Sequence, residues 1–273
     1  MPIKLTTRGL AGVLLSGMIA GAAVSAAQAQ ARRPEASLAQ LRAMVERERD
    51  AREVANLMGR RAHVQALGRN DLWIDLFAKR QPDVSWYANG RYTVGLEAIK
   101  KQFGVGDTAR AERSLDAMVK VYPDIDNSSA NFGVGEFRQH ALLTPIIEVA
   151  EDGQTAKGFW NSTGPQLAFR DGQPVGSIGF EKYAVDFIKE DGQWRLWHLS
   201  TYTEVYLELG KTLADQVPPP GSPRPAPRPG PDGKVTPNPY PAWSPWRVPA
   251  QVPLPTPYRT FRETFSYGPP KSP

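Results

Sequence analysis

Four runs of strand-forming residues, set apart by short polar joins, dominate residues 133–206. They read FRQHALLTPIIEV (137–149), TAKGFWNST (155–163), GSIGFEKYAVDFI (176–188) and WRLWHLSTYTEVY (194–206). The same tetrapeptide, EDGQ, joins the first pair at 151–154 and the last pair at 190–193. Asp-Gly between apolar runs marks a hairpin, because both residues tolerate positive φ. A Gly-rich break separates the two hairpins. The pattern predicts an antiparallel, strongly twisted sheet late in the chain.

Most of what precedes the sheet reads as helix. From 35 to 67, Leu38, Leu41, Val45, Val54, Leu57, Met58, Val64 and Leu67 recur near helical spacing, with a charged patch at 47–53 that predicts a break or solvated turn near Asp50. Gly68-Arg69-Asn70-Asp71 ends this helix and caps a second over 71–79, stopped before Pro82. Asn89-Gly90 marks a hairpin turn within 83–92, and 95–103 reads as a third helix. Residues 104–126 read as irregular, or helical around 107–121, and 122–134 as loop. Helices first and sheet second is an α+β arrangement.

The ends differ in character. Residues 1–29 combine Lys4 and Arg8, an apolar stretch from Leu10 to Val24 and the small-residue site Ala27-Gln28-Ala29. That is the pattern of a secretory signal peptide cleaved after Ala29, which implies an exported chain, periplasmic or secreted. A membrane anchor is the alternative, but the apolar stretch falls short of the roughly 20 residues that span a bilayer. Residues 30–216 form the expected folded domain. Residues 217–241 are dense in Pro and Gly and read as an extended linker. Beyond it stand Trp243, Trp246, Tyr258, Phe261, Phe265 and Tyr267. A disordered tail avoids aromatics, so 217–273 reads as an arm whose end packs onto the domain or onto a neighbouring subunit, giving a homodimer or higher oligomer.

Composition narrows the chemistry. The chain has no Cys, which excludes thiol catalysis and Cys-based metal sites. Its three His residues, His63, His140 and His198, show no metal-ligand spacing. Removing the leader takes away Lys4 and Arg8 and no acid, leaving +3 of the formal +5. Charges of both signs are interspersed, so no nucleic-acid footprint is present. No phosphate-binding Gly loop and no G-x-S-x-G elbow occurs.

The order of motifs resembles the SnoaL-like branch of the nuclear transport factor 2-like superfamily. The resemblance is carried by Asn70-Asp71 with Leu76-Phe77-Ala78, by ANGRYTVGLEAIKKQF (88–103), by HALLTPIIEVAEDGQTAKGFW (140–160) and by YAVDFIKEDGQWRLWH (183–198). It implies a cone-shaped α+β barrel, a curved antiparallel sheet wrapped around three N-terminal helices, with a mostly apolar pocket. It also implies a cofactor-free dehydratase, isomerase or lyase, or else a plain ligand binder. Dehydratase-type members carry a Tyr and an Asp near the end of the first helix; here His63 and Gly68 stand at those places. The long form with an aromatic arm also resembles cofactor-free enzymes that remove formaldehyde from lignin-derived diarylpropanoids.

Within that frame His140 matches a position often held by His and is the expected acid or base, its ordinary pKa lying near neutrality. Tyr183 is a candidate oxyanion partner, and His63 and His198 are the other proton-transfer candidates. If the Trp194 side of its strand faces the pocket, His198 does too. Trp86, Tyr87 and Trp160 are candidate aromatic walls for a planar ligand, and Arg91 and Asn161 candidate polar contacts at the mouth. The expectation is an exported, cofactor-independent lyase, dehydratase or isomerase acting on a small hydrophobic, aromatic, hydroxylated substrate, without metal, nucleic acid or membrane partner. The alternative is a non-catalytic small-ligand-binding or interaction protein with the same pocket.

Overall fold

In the computed structural model, residues 36–88, 91–170, 173–212, 215 and 252–269 are described. The leader at 1–29, the Asn89-Gly90 turn, the Pro-rich 217–241, Trp243 and Trp246 lie outside them. Contacts divide the chain into two units, Met1–Met44 and Val45–Pro273. The described part of the first is the opening turns of a helix, with Leu38, Leu41 and Met44 exposed. The rest concerns the second.

Helix α1 (Leu38–Ala66) runs unbroken for 29 residues, so the charged patch at 47–53 makes no turn. Its buried residues Asp50, Val54, Leu57, Met58 and Arg61 fall three or four apart and form one stripe. Asp50 is buried without a break because Lys189 Nζ, at 2.8 and 2.9 Å, and Trp194 Nε1, at 3.0 Å, donate to its carboxylate. Helix α2 is only Asn70–Asp75. The expected continuation to Lys79 is lost because the chain pairs with the sheet instead: Ala78 N donates to Leu196 O and Leu196 N to Leu76 O, at 2.8 and 3.0 Å. Helices α3 (Leu96–Phe103) and α4 (Val105–Val119) follow.

The strands are β1 (Ser85–Ala88), β2 (Arg91–Val94), β3 (Phe137–Arg138), β4 (Ala141–Val149), β5 (Thr155–Arg170), β6 (Gln173–Glu190) and β7 (Gln193–Glu208). They form one curved, unclosed sheet in the order β2-β1-β7-β6-β5-β3, with β4 also on β5. The fold is the α+β class expected. The second hairpin strand continues to Arg170 and the third begins at Gln173, so the Gly-rich stretch is itself paired strand, from Gly164↔Gly179 to Arg170↔Gln173. A Gly-rich sequence weakens a strand without forbidding it when both neighbours supply ladder bonds.

The sheet buries apolar residues on both faces. One cluster holds Val54, Met58, Trp73, Phe77, Tyr183, Val185, Phe187, Trp194, Leu196 and Leu199, against the helices. The other holds Tyr87, Tyr92, Phe159, Ala184 and Tyr202 together with Val252 and Tyr267 of the arm. The arm lies across its own chain's sheet: Ser200 Oγ donates to Tyr267 O at 2.9 Å, and Tyr258 OH to Thr155 Oγ1 at 3.2 Å.

Candidate active site

Two irregularities in the sheet decide which side chains meet. The first lies where β3 gives way to β4 along the edge of β5. Gln139 N still bonds to Pro165 O at 3.1 Å, but the backbone there crowds Gly164: a Cβ on that residue would sit 1.8 Å from Gln139 O. Only glycine permits this approach. His140, the next residue, is thereby buried rather than left on an exposed edge.

The second is a bulge on β7, where Asp186 pairs with His198 but the adjacent Phe187 pairs with Leu196. The extra residue, Trp197, reverses the alternation. Trp194 and Leu196 pack on the helix side, and beyond the bulge Leu199 does so too. His198 is turned to the arm side. The expectation that it shares a face with Trp194 fails for this reason.

On the helix side a cavity of about 780 Å³ opens among α1, α3, β3 and the ends of β5, β6 and β7. That is ample for a small organic substrate. Trp73, Trp86 and Phe103 make one wall, with Trp73–Phe103 and Trp86–Phe103 centroids 4.1 and 4.8 Å apart, edge to face. His140, Glu181, Tyr183, Tyr206 and Arg61 are among its polar groups, with Asp71, Glu136 and Arg138 also in the lining.

Glu181 is the centre of these groups. Its Oε2 lies 3.0 Å from His140 Nδ1 and 2.9 Å from Tyr183 OH. Its Oε1 accepts from Tyr206 OH at 2.8 Å and Thr203 Oγ1 at 3.3 Å. Burial pushes the carboxyl up, but His140, Tyr206 and Tyr183 outweigh it and hold the group at about 2. An ionised carboxylate only accepts. His140 Nδ1 therefore donates to it, and in the neutral ring that leaves the lone pair on Nε2. That Nε2 is buried and has no hydrogen-bond partner.

Tyr183 is fully committed. Its hydroxyl donates to Glu181, and burial pushes its pKa above the ordinary phenol value. It lines the cavity while its hydroxyl proton is directed at the carboxylate. Arg61 lies over its ring, 4.2 Å from Cζ to centroid.

The remaining expected residues stand elsewhere. His63 is exposed, because it falls half a helical turn away from the stripe that buries Val54 and Arg61. Trp86 lines the cavity, but its neighbour Tyr87 points through the sheet into the arm-side cluster, as strand alternation requires. Trp160 is buried against Phe187 in the core and does not line the cavity. Asn161 is exposed and donates to Thr144 Oγ1 at 3.1 Å, and Arg91 lies on β2 away from the cavity lining.

His198 belongs to a different cluster. Its Nδ1 lies 2.8 Å from Asp186 Oδ2, and Lys157 Nζ lies 2.6 Å from Asp186 Oδ1. Ser266 Oγ and Tyr267 N of the arm also donate to Asp186 Oδ2, at 3.0 and 2.7 Å. Burial pushes His198 down, but Asp186 and Asp83 outweigh it and hold its pKa above the ordinary value.

Glu181 and Arg61 were not among the candidates read from sequence. Both had a signal. Glu181 stands two residues before Tyr183, on the same strand face, and Arg61 continues the stripe of Val54, Leu57 and Met58. Glu181 supplies from the sheet the carboxylate that Gly68 cannot supply from the helix.

Among curated proteins no match is found. Solved structures with the same kind of fold include a putative scytalone dehydratase from Novosphingobium aromaticivorans, 14% identical over 62% of this chain and 93% of that one, TM-score 0.44. They also include hexachlorocyclohexane dehydrochlorinase LinA-type3 from Novosphingobium barchaimii, 11% identical over 62% of this chain and 95% of that one, TM-score 0.41. A protein of unknown function from Mycobacterium tuberculosis is 18% identical over 63% of this chain and 78% of that one, TM-score 0.40. A family model, the SnoaL-like domain, matches residues 46–200, more than half of the sequence, and the chain belongs to that family.

Proposed function

We propose that the protein is a cofactor-independent lyase, dehydratase or isomerase that works by proton transfer on a small, hydrophobic, aromatic, hydroxylated substrate. The observation that carries this reading is the state of His140. One ring nitrogen is held by an ionised carboxylate, and the other is buried, unpartnered and placed at the cavity. A histidine fixed in one tautomer by a carboxylate is a general base with its lone pair aimed at substrate. When it takes a proton, the imidazolium forms against Glu181, which stabilises the charge.

In an elimination, His140 Nε2 removes a proton from carbon, the freed electron pair forms the double bond, and the imidazolium passes that proton to the leaving hydroxyl, which departs as water. In the narrower case of a diarylpropane from lignin, the proton comes from the carbinol oxygen. The carbon–carbon bond to that carbon then breaks, releasing formaldehyde. Its electrons form the alkene as the benzylic hydroxyl leaves as water. The pattern at residues 1–29 adds an extracytoplasmic setting, where such compounds are met without nucleotide cofactors.

The test is a screen of aromatic diols, hydroxysteroid-like compounds and diarylpropanes with no cofactor added, read by mass spectrometry. Wild type should convert at least one, and Glu181→Gln, which removes the charge but keeps the shape, should lower kcat by about 10–10³-fold. A protein that binds panel members in the cavity and turns none over is a binder, and the enzymatic reading fails.

A further inference from the structure

Arg61 is the most unusual residue of the cavity. Its side chain is among the largest fully buried ones, with 1% of the residue exposed. Two guanidinium nitrogens, Nε and Nη1, are buried with no hydrogen-bond partner, and Arg61 enters no ion pair among the described residues. A buried cation without a counter-ion is costly, and proteins keep one only where something compensates it. The face of Tyr183, at 4.2 Å, offers a cation–π contact but accepts none of those N–H groups. Glu181 brings a negative charge to the same cavity lining, but its oxygens are engaged by His140, Tyr183, Tyr206 and Thr203 and leave those N–H groups without an acceptor.

We infer that Arg61 is a substrate-binding residue that pairs with a carboxylate on the substrate. This deepens the reading above and rests on the same cavity being the substrate site. The unmet N–H groups call for an oxygen acceptor, and the carboxylates Asp71, Glu136 and Glu181 in the same lining oppose a phosphate dianion even with Arg138 beside them. A planar carboxylate matches the planar fork of arginine. The wall formed by Trp73, Trp86 and Phe103 takes a flat apolar framework. The substrate class is therefore an aromatic or otherwise unsaturated hydroxy acid, and a diarylpropane bearing a ring carboxylate fits both descriptions. Tyr183 ties the anchor to the chemistry: Arg61 lies on its ring, and its hydroxyl stands 3.4 Å from His140 Nδ1.

The experiment uses the full chain with 4-hydroxycinnamate and its primary amide as probes, which differ only in the charge. Isothermal titration should show the acid binding at least tenfold more tightly than the amide. In Arg61→Met that preference should vanish, with the acid weakened by roughly 10- to 100-fold, as expected for losing charge-assisted hydrogen bonds. Arg61→Lys should retain part of it. Removing an uncompensated buried charge should also leave the melting temperature of the unliganded protein unchanged or raised. Several results overturn the inference: equal binding of acid and amide, acid binding that survives Arg61→Met, or no binding of the acid at millimolar concentration. A marked fall in melting temperature for Arg61→Met makes the residue structural and overturns it as well; if that variant does not fold, Arg61→Lys decides, and an unchanged acid-over-amide preference there sinks the idea. The two readings separate cleanly. Arg61-dependent binding of the acid with no turnover of any hydroxy acid by wild type leaves this inference standing and removes the enzymatic one. Turnover of a neutral compound, insensitive to Arg61→Met, does the reverse.

Discussion

Each face of the sheet carries a buried histidine held by a carboxylate, and the two pairs are completed in different ways. On the arm side, Asp186 holds His198 and Lys157, and the arm closes over them. Ser266 and Tyr267 donate to Asp186, while the rings of Phe261 and Phe265 lie 4.5 Å from Lys157 Nζ. The second ring nitrogen of His198 also has no hydrogen-bond partner, with Asp83 Oδ2 at 3.6 Å, but the ring packs against the arm, leaves no room for a Cβ on Gly268 and does not line the helix-side cavity. On the helix side, Glu181 holds His140, but Nε2 of that ring and two nitrogens of Arg61 have no partner in the protein and border a cavity. A His–carboxylate pair is therefore no sign of catalysis by itself. What separates these two pairs is that the arm packs over one while the other borders a cavity.

The sharpest way to break this comparison is to treat the two histidines alike. His140→Gln should reduce kcat by about 10²–10⁴-fold while the melting temperature barely moves, as for loss of a positioned base. His198→Gln should leave kcat within a few-fold of wild type and lower the melting temperature instead. If the kinetic loss follows His198, the site lies under the arm and the assignment is reversed.

The next largest effect concerns the sealed side. Lys157 is fully buried and paired with Asp186 at 2.6 Å. Lys157→Met keeps the volume but leaves Asp186 with less compensation. Breaking a buried pair from one side costs about 3–5 kcal/mol, which denaturant unfolding would read directly. The arm should also become sensitive to proteolysis between 252 and 269, since two of its donors bind the same carboxylate. A variant as stable as wild type would show that the arm is held by apolar contact alone.

The two regions were also unequally legible in the sequence. Element types followed from local chemistry: the EDGQ joins set hairpins and the apolar stripe set α1. His140 was readable as a candidate, and Glu181 was too, had the alternation through Tyr183 been carried two residues back. The face taken by His198 was not readable, because the bulge at Trp197 comes from pairing against β6 and leaves no mark within β7 itself. The place of His140 depends on the contact of Gln139 with Gly164, residues 25 positions apart in the chain. The arm's aromatics signalled packing, but not that a buried lysine lay beneath them.

The smallest effect sharpens the comparison through pH, because Glu181 on one face and His198 on the other respond with opposite sign. The folded pKa of Glu181 is lowered from 4.5 to about 2. Its contribution is present above 4.5 and is lost as pH falls towards 2. His198 is raised above 6.5. Its contribution is complete below 6.5 and is lost as pH rises through the folded value. Acid should thus loosen the cavity side through Glu181 and the arm side through Asp186, whose carboxyl is pushed up by burial but held below its ordinary value by His198 and Lys157, while alkali loosens the arm side through His198. Tyr206→Phe tests whether these limbs are separate, since it deletes the 2.8 Å bond to Glu181 and touches nothing under the arm. A hydrogen bond to a charged group contributes about 1.5–3 kcal/mol when buried. Tyr206 is 38% exposed, so solvent screening reduces the figure to about 1 kcal/mol. The acid midpoint, followed by circular dichroism, should move upward while the alkaline limb stays fixed. The Tyr206 hydroxyl is itself pushed up to about 12 by burial, so only movement of the alkaline limb well below that value would mean that the two faces are coupled through the sheet.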